Sequence, residues 1–406
     1  MINAHIVIVG GGFGGLEAAI TLTGVTGDAV TITLIDRDGF HSFIPSIHEI
    51  SSGKITSRSI QIPLETILAP AGIHFVRDSV TAIDHENRRV KAVSGELNYD
   101  YIVLAAGAEN HFFGVPGAEE HSFRFRTPED AERIRAHLVR LLAEERKDVH
   151  LVLAGGGTEG VEVAGELLDL IKDSGREFGP AGGTVAITLV EAQQQLLPGF
   201  QPAAREFAEN YLREQGVTII TGQRISVVRS ESIVLAAGRE LPQSMLIWTG
   251  GIKPSPVIAD LPLPKDPAGW LIVNDRLHSP ADERLYAVGD IVAIQGADGT
   301  VQLQRLAYHA QDQGAVAGIN IANHLRGKSL IRYEPRYKPQ LISIGRDMGI
   351  FSQGDAFRAG AWVVALKKAV ERRHLMSYLT RSLFSGVLRK IPGSDILKHL
   401  RLKLPR

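Results

Sequence analysis

Gly10-Gly11-Gly12-Phe13-Gly14-Gly15 and Gly155-Gly156-Gly157-Thr158-Glu159-Gly160 carry the pattern Gly-x-Gly-x-x-Gly twice in one chain. Each follows a short apolar run, Ile6 to Val9 and Leu151 to Leu153, and each opens a stretch rich in Ala, Leu and Glu. Strand, glycine turn and helix in that order make a weak pattern specific. The glycines permit the tight turn, the approach of backbone to a pyrophosphate, and close helix–strand packing. Two such turns imply an α/β chain that binds two dinucleotides.

The acidic residue after each turn says which part of the dinucleotide is held. The strand Thr31 to Ile35 ends in Asp36, about twenty residues past the first turn, where a carboxylate takes both hydroxyls of an adenosine ribose. Val185 to Val190 ends in Glu191, which does the same for the second turn. A carboxylate at Glu191 repels a 2′-phosphate, so the second site reads as one for NADH over NADPH. The competing reading makes Asp36 and Glu191 ordinary strand-end charges.

Composition bounds what the two units can do. With 406 residues, 44% apolar and 22% charged, the chain can bury substantial cores and divides into two or three domains. No run of eighteen apolar residues occurs, and Met1 to His5 leads straight into a strand, so neither a spanning helix nor a cleavable signal is expected. There are no cysteines. That excludes disulfides, a Cys-ligated metal and any thiol relay between a flavin and a substrate.

The net charge of −1 conceals an asymmetry, with +9 over residues 360–406 and −10 before them. Leu375, Leu379, Leu383 and Val387 form an i+4 row in this basic tail. Pro392-Gly393 breaks it, and Ile396, Leu400 and Leu404 resume the spacing. Two amphipathic helices with basic polar faces match an in-plane membrane anchor. A helix docked on the protein's own core is the alternative. The tail lacks interleaved exposed aromatics, which argues against nucleic acid.

Further landmarks are Tyr99 to Gly107, a strand running into a small-residue turn, and Arg284-Leu-Tyr-Ala-Val-Gly-Asp290. Asp38-Gly-Phe-His-Ser-Phe-Ile-Pro45, Phe113-Gly-Val-Pro-Gly117, Gly160-Val-Glu-Val-Ala-Gly-Glu166, Leu197-Pro-Gly-Phe200 and Trp248-Thr-Gly-Gly251 complete the set. These residues resemble the two-dinucleotide flavoproteins, FAD-dependent pyridine nucleotide oxidoreductases, and among them the type II (alternative) NADH:quinone oxidoreductases. The resemblance covers nearly the whole chain.

It implies two Rossmann-like dinucleotide-binding domains plus a C-terminal amphipathic helical membrane-anchoring region. The expected boundaries are 1–112 and 251–325 for the FAD domain, 113–250 for the NADH domain, and 326–406 for the basic C-terminal region. FAD is assigned to Gly10, Gly12, Phe13, Gly14, Gly15, Asp36, Val80, Ala106, Gly107, Asp290 and Ala307. NADH is assigned to Gly157, Gly160, Glu191 and Gly250. No metal is expected. The helix starting near Ala307 would aim its free amides at the reduced flavin.

Three residues are assigned to the chemistry. By resemblance, Glu162 projects toward the flavin and Lys338 pairs with it. A surface ion pair between domains is the plainer reading. The stretch Ala307-Tyr308-His309-Ala310-Gln311-Asp312-Gln313-Gly314 aligns with a helix that lines the quinone pocket in the family, with Tyr308 and Asp312 in place of glutamines. Tyr308 would either contact the quinone or fill its pocket, and His309 either donates protons or is structural. Spacing places Tyr308 and Asp312 on one helix face.

The leading expectation is therefore a peripheral membrane enzyme on the cytoplasmic side. It would pass electrons from NADH through FAD to a quinone, without proton pumping, with a homodimer suggested by resemblance. The alternatives are a soluble reductase of a small redox carrier and a dinucleotide-binding interaction protein.

Overall fold

The computed structural model of the chain describes residues 4–143, 148–175, 185–296, 299–301 and 303–389. The first glycine turn lies on a six-stranded sheet whose order is His278–Ser279, Asp282–Ala287, Tyr101–Leu104, Ala4–Val9, Val30–Asp36, His74–Arg77. All neighbours run parallel except the His278–Ser279 edge. Ile6, Val7, Ile8, Leu34, Ile102 and Val103 are fully buried. Both faces are covered, which is why these strands read as continuous apolar runs.

The second turn lies on a wholly parallel sheet, ordered Phe123–Arg124, Met245–Trp248, Val149–Ala154, Val185–Val190, Thr218–Ile220. Every strand of this sheet lies in sequence between Tyr101–Leu104 and Asp282–Ala287, which are neighbours in the first sheet. A parallel crossover there carries a complete dinucleotide-binding unit as its connection.

Beyond the helix Ala307–Leu325, a three-stranded antiparallel sheet (Gln340–Ser343, Gly349–Gln353, Ala356–Ala359) leads into the helix Ala361–Arg389. The packing of this terminal helix corrects the expected apolar row. Val363 and Tyr378 are fully buried, Lys367, Glu371 and Ser382 are buried, and Leu375 and Leu379 pack on the core. Arg381 donates two hydrogen bonds of 2.8 and 2.7 Å to Glu17 on the first glycine-turn helix. So Leu375 and Leu379 face the protein, and the exposed apolar side chains are Trp362, Leu366, Val370, Met376 and Leu383. The side chain of Val387 and the expected second helix, Ile396 to Leu404, lie outside the described residues. Among the described residues no helix is long and apolar enough to cross a membrane.

Candidate functional site: two dinucleotide cradles joined by a buried ionic core

In the first turn Gly10 has φ +104°, and a Cβ on Gly15 would stand 1.9 Å from the Gly10 carbonyl oxygen. A side chain at Gly15 would therefore open the turn. The Gly11 N–H donates to Asp36 Oδ2 at 2.6 Å, and the Asp38 N–H donates to Oδ1 at 2.7 Å. Burial raises the Asp36 carboxyl above its ordinary range, and those two backbone donors oppose the rise. The strand end that carries Asp36 pairs with Arg77, three residues before the half-buried Val80. Gly10 also closes against the backbone that runs into Ala106 and Gly107.

The helix Ala307–Leu325 crosses the helix Phe13–Thr26 at backbone contact. A Cβ on Gly314 would lie 2.2 Å from the Gly14 oxygen. Gln313 accepts the Gly289 N–H at 2.6 Å. Gly289, Asp290, Arg305, His309, Ala310 and Gln313 line one cavity beside this crossing. Hence Asp290 and the start of the Ala307 helix come together with the first turn. His309 is buried and bonded through Nδ1 to the Tyr333 hydroxyl at 2.9 Å.

The second turn repeats the first. Gly155 has φ +117°, Gly160 would place a Cβ 1.9 Å from the Gly155 oxygen, and Gly155 abuts Gly250. The Gly156 and Gln193 N–H groups donate to the two oxygens of buried Glu191 at 2.6 and 2.7 Å. Neither Gly12 nor Gly157, the N-caps of the two helices, supplies a capping side chain. A Cβ on either would meet nothing within 4 Å. Each turn thus offers free helix amides over open space, which fits a pyrophosphate.

Between the cradles lie charges that local sequence did not reveal. Arg126 forms an ion pair with Asp290. Glu159, in the first turn of the second helix, is pushed up to about 7 by burial, against the pull of Arg126. Glu162 is buried and ion-paired with Lys367 of the terminal helix, and it accepts the Ser343 N–H at 3.1 Å. The expected partner, Lys338, instead pairs with Asp312 at 2.9 Å, and its ammonium lies 5.1 Å from the Tyr308 ring centre. Lys338 and Asp312 are both partly exposed, where they stay solvated, whereas the terminal helix delivers Lys367 into the interior. Tyr308 and Asp312 do share a face, joined by Lys338.

A second cluster ties the terminal helix to the first turn. His41 meets the Gly11 oxygen through Nδ1 at 3.1 Å and His374 through Nε2 at 3.1 Å. Burial holds both imidazoles low, at about 4 and about 3, so both are neutral.

A family model described as pyridine nucleotide-disulphide oxidoreductase matches residues 4–314. The chain belongs to the pyridine nucleotide-disulphide oxidoreductase family. With no cysteine in its sequence, this member lacks the thiol pair in the family's name. A type II NADH:quinone oxidoreductase of Staphylococcus saprophyticus is 25% identical over 379 residues, 91% of this chain and 94% of that protein. A demethylphylloquinone reductase of Synechocystis is 28% identical over 362 residues, 86% of each. The structure of NDH2 from Plasmodium falciparum in complex with NADH superposes with a TM-score of 0.82 at 18% identity, over 95% of this chain and 97% of that one. That likeness, like the TM-score of 0.82 at 22% identity with the sulfide:quinone oxidoreductase of Aquifex aeolicus over 94% of this chain and 92% of that one, shows the shared fold.

Proposed function

We propose that this family member holds FAD at the first turn and NADH at the second, and passes two electrons from NADH to a membrane quinone without pumping protons. The observation that carries the reading is a pair of complete, uncapped glycine turns, each closed by a carboxylate, in a chain without a redox-active thiol. The names of the curated relatives support the quinone as acceptor. Bound FAD would take the hydride and hand on the electrons, while the protein orients and tunes.

Asp36 and Glu191 would hold the two adenosine riboses, and the amides above Gly12 and Gly157 the pyrophosphates. Glu162 would sit at the inner end of a proton path. Tyr308, with Asp312 and Lys338 behind it, would form the acceptor face. Cofactor choice tests the NADH site. NADH should give a much higher kcat/KM than NADPH, and Glu191→Gln should narrow the gap, because the discrimination rests on repulsion. Equal kcat/KM for both nucleotides in the unmodified protein would remove that assignment.

We also infer a peripheral membrane location, on the cytoplasmic side, through the terminal helix; a homodimer belongs to the same reading. Support comes from the exposed Trp362, Leu366 and Val370 at i+4 spacing, flanked by exposed Arg372 and Arg373. Truncation within this helix would strip Tyr378 from the core, so substitution is the cleaner test. Changing Trp362, Leu366 and Val370 together to Ser should release the protein from anionic vesicles, each half-exposed residue accounting for about 0.5–1.5 kcal/mol of further burial. High salt should weaken binding of the unmodified protein. Vesicle binding that survives the triple change contradicts the anchor.

A further inference from the structure

Reduction of a quinone by NADH requires a proton that NADH does not carry. The hydride brings two electrons and one proton, whereas the quinol gains two electrons and two protons. One proton per turnover therefore comes from solvent. Glu162 is too buried to take it from bulk water directly.

His48 stands between Glu162 and the surface. Its Nδ1 lies 3.5 Å from Glu162 Oε2, and its Nε2 lies 3.9 Å from Glu49 Oε1. Lys367 donates to Ser343 Oγ at 3.2 Å, and Ser343 Oγ is 2.9 Å from His48 Nε2. The Ser343 hydroxyl, whose oxygen accepts from Lys367, has its own proton free for Nε2, with the Glu49 carboxylate farther off, while Nδ1 faces the Glu162 carboxylate. The neutral tautomer protonated on Nδ1 satisfies this arrangement. On the outer side, Glu49 pairs with Lys368, which also reaches Glu371 at 3.2 Å. The Lys368 side chain is 30% exposed and so touches solvent.

We propose that His48 is a proton relay that carries the solvent proton from the Glu49–Lys368 pair to Glu162. Lys368 passes a proton to the Glu49 carboxylate it pairs with and recovers one from solvent. As Glu49 passes that proton to Nε2, the Nδ1 proton leaves for Glu162, and the imidazole ends in the opposite tautomer. Ring reorientation or back-exchange resets it. The 3.9 Å gap closes to hydrogen-bond distance with a shift of about 1 Å. The charges facing His48 are Glu162 and Glu49 on one hand and Lys367, Lys368 and Lys54 on the other. Burial and the three lysines hold its pKa well below the ordinary value. The imidazole is therefore neutral between transfers.

The proposal rests on the quinone reading above, and the tests keep the two apart. Quinone turnover is compared with turnover of ferricyanide, which takes electrons without protons, in the full-length flavoprotein and in His48→Gln and Glu49→Gln. The ratio of quinone to ferricyanide kcat should fall about tenfold or more in both variants, with KM for quinone little changed and a larger solvent deuterium isotope effect. Unmodified protein that reduces ferricyanide but no quinone removes the functional reading, and the relay with it. Quinone activity in unmodified protein, with the ratio unchanged in the variants, overturns the relay alone. Nitrogen NMR of labelled histidine in the full-length protein gives a second readout, independent of turnover. His48 should be neutral and protonated on Nδ1 near neutral pH, and Lys368→Met should move its titration upward. A cationic His48, or a titration indifferent to Lys368, overturns the relay even if a variant is lost to misfolding.

Discussion

Replacing Lys367 by methionine is expected to lower the free energy of unfolding by about 3–5 kcal/mol, the usual cost of stranding one member of a buried ion pair. The methionine keeps most of the stem volume, so the loss reports charge. Glu162 is 4% exposed and Lys367 7% exposed, and little water reaches the carboxylate to replace the ammonium. The pH dependence has a definite sign. Burial raises the Glu162 carboxyl above its ordinary range and Lys367 pulls it back. Without the lysine the folded-state value climbs further above the unfolded value of about 4.3. The folded state then holds a proton that the unfolded state releases, so the penalty is absent below the unfolded pKa and grows as pH rises through the folded one. Denaturant midpoints across pH measure this. Adding Glu162→Gln should restore much of the loss, and a single variant equally destabilised at all pH values contradicts the pairing.

Gly160→Ala is expected to disable the NADH site while leaving bound flavin in place. The added methyl carbon would lie 1.9 Å from the Gly155 oxygen. The Gly155 amide is itself tied to Val190 at 2.9 Å, so the turn cannot slide away. Opening the turn removes one or two charge-assisted amide contacts to pyrophosphate. KM for NADH should rise about 10- to 100-fold. Gly15→Ala, with the same 1.9 Å approach to Gly10, should instead lose the flavin. Reversal of these two outcomes would mean the sites are exchanged.

The parts of this protein that were legible from sequence are those encoded by short-range spacing. A glycine turn, the strand before it and the carboxylate one strand later lie within a single unit, and the turn geometry at Gly10 and Gly155 follows from them. Arg126, Lys367 and His48 were not legible, because their roles depend on Asp290 and Glu162, each more than a hundred positions away. Lys367 and Glu162 are 205 positions apart. On the terminal helix, Lys367 and Glu371 look like a solvated polar face, yet both are buried because ionic partners await them. The Leu375–Leu379 row is equally compatible with lipid and with core, and only the packing of Tyr378 and Arg381 decides it. Lys338 fitted by resemblance alone, and Asp312, one of the two departures from the family pattern in that helix, is what holds it elsewhere.

The central claim, that one chain joins a flavin site and an NADH site to a quinone, is tested most directly by double-mixing stopped flow without oxygen. NADH mixed with the purified full-length protein should bleach the bound flavin absorbance within one turnover, and quinone added next should restore it at a rate matching steady-state kcat. Bleaching without restoration by any quinone, or protein with no flavin to bleach, would contradict the account.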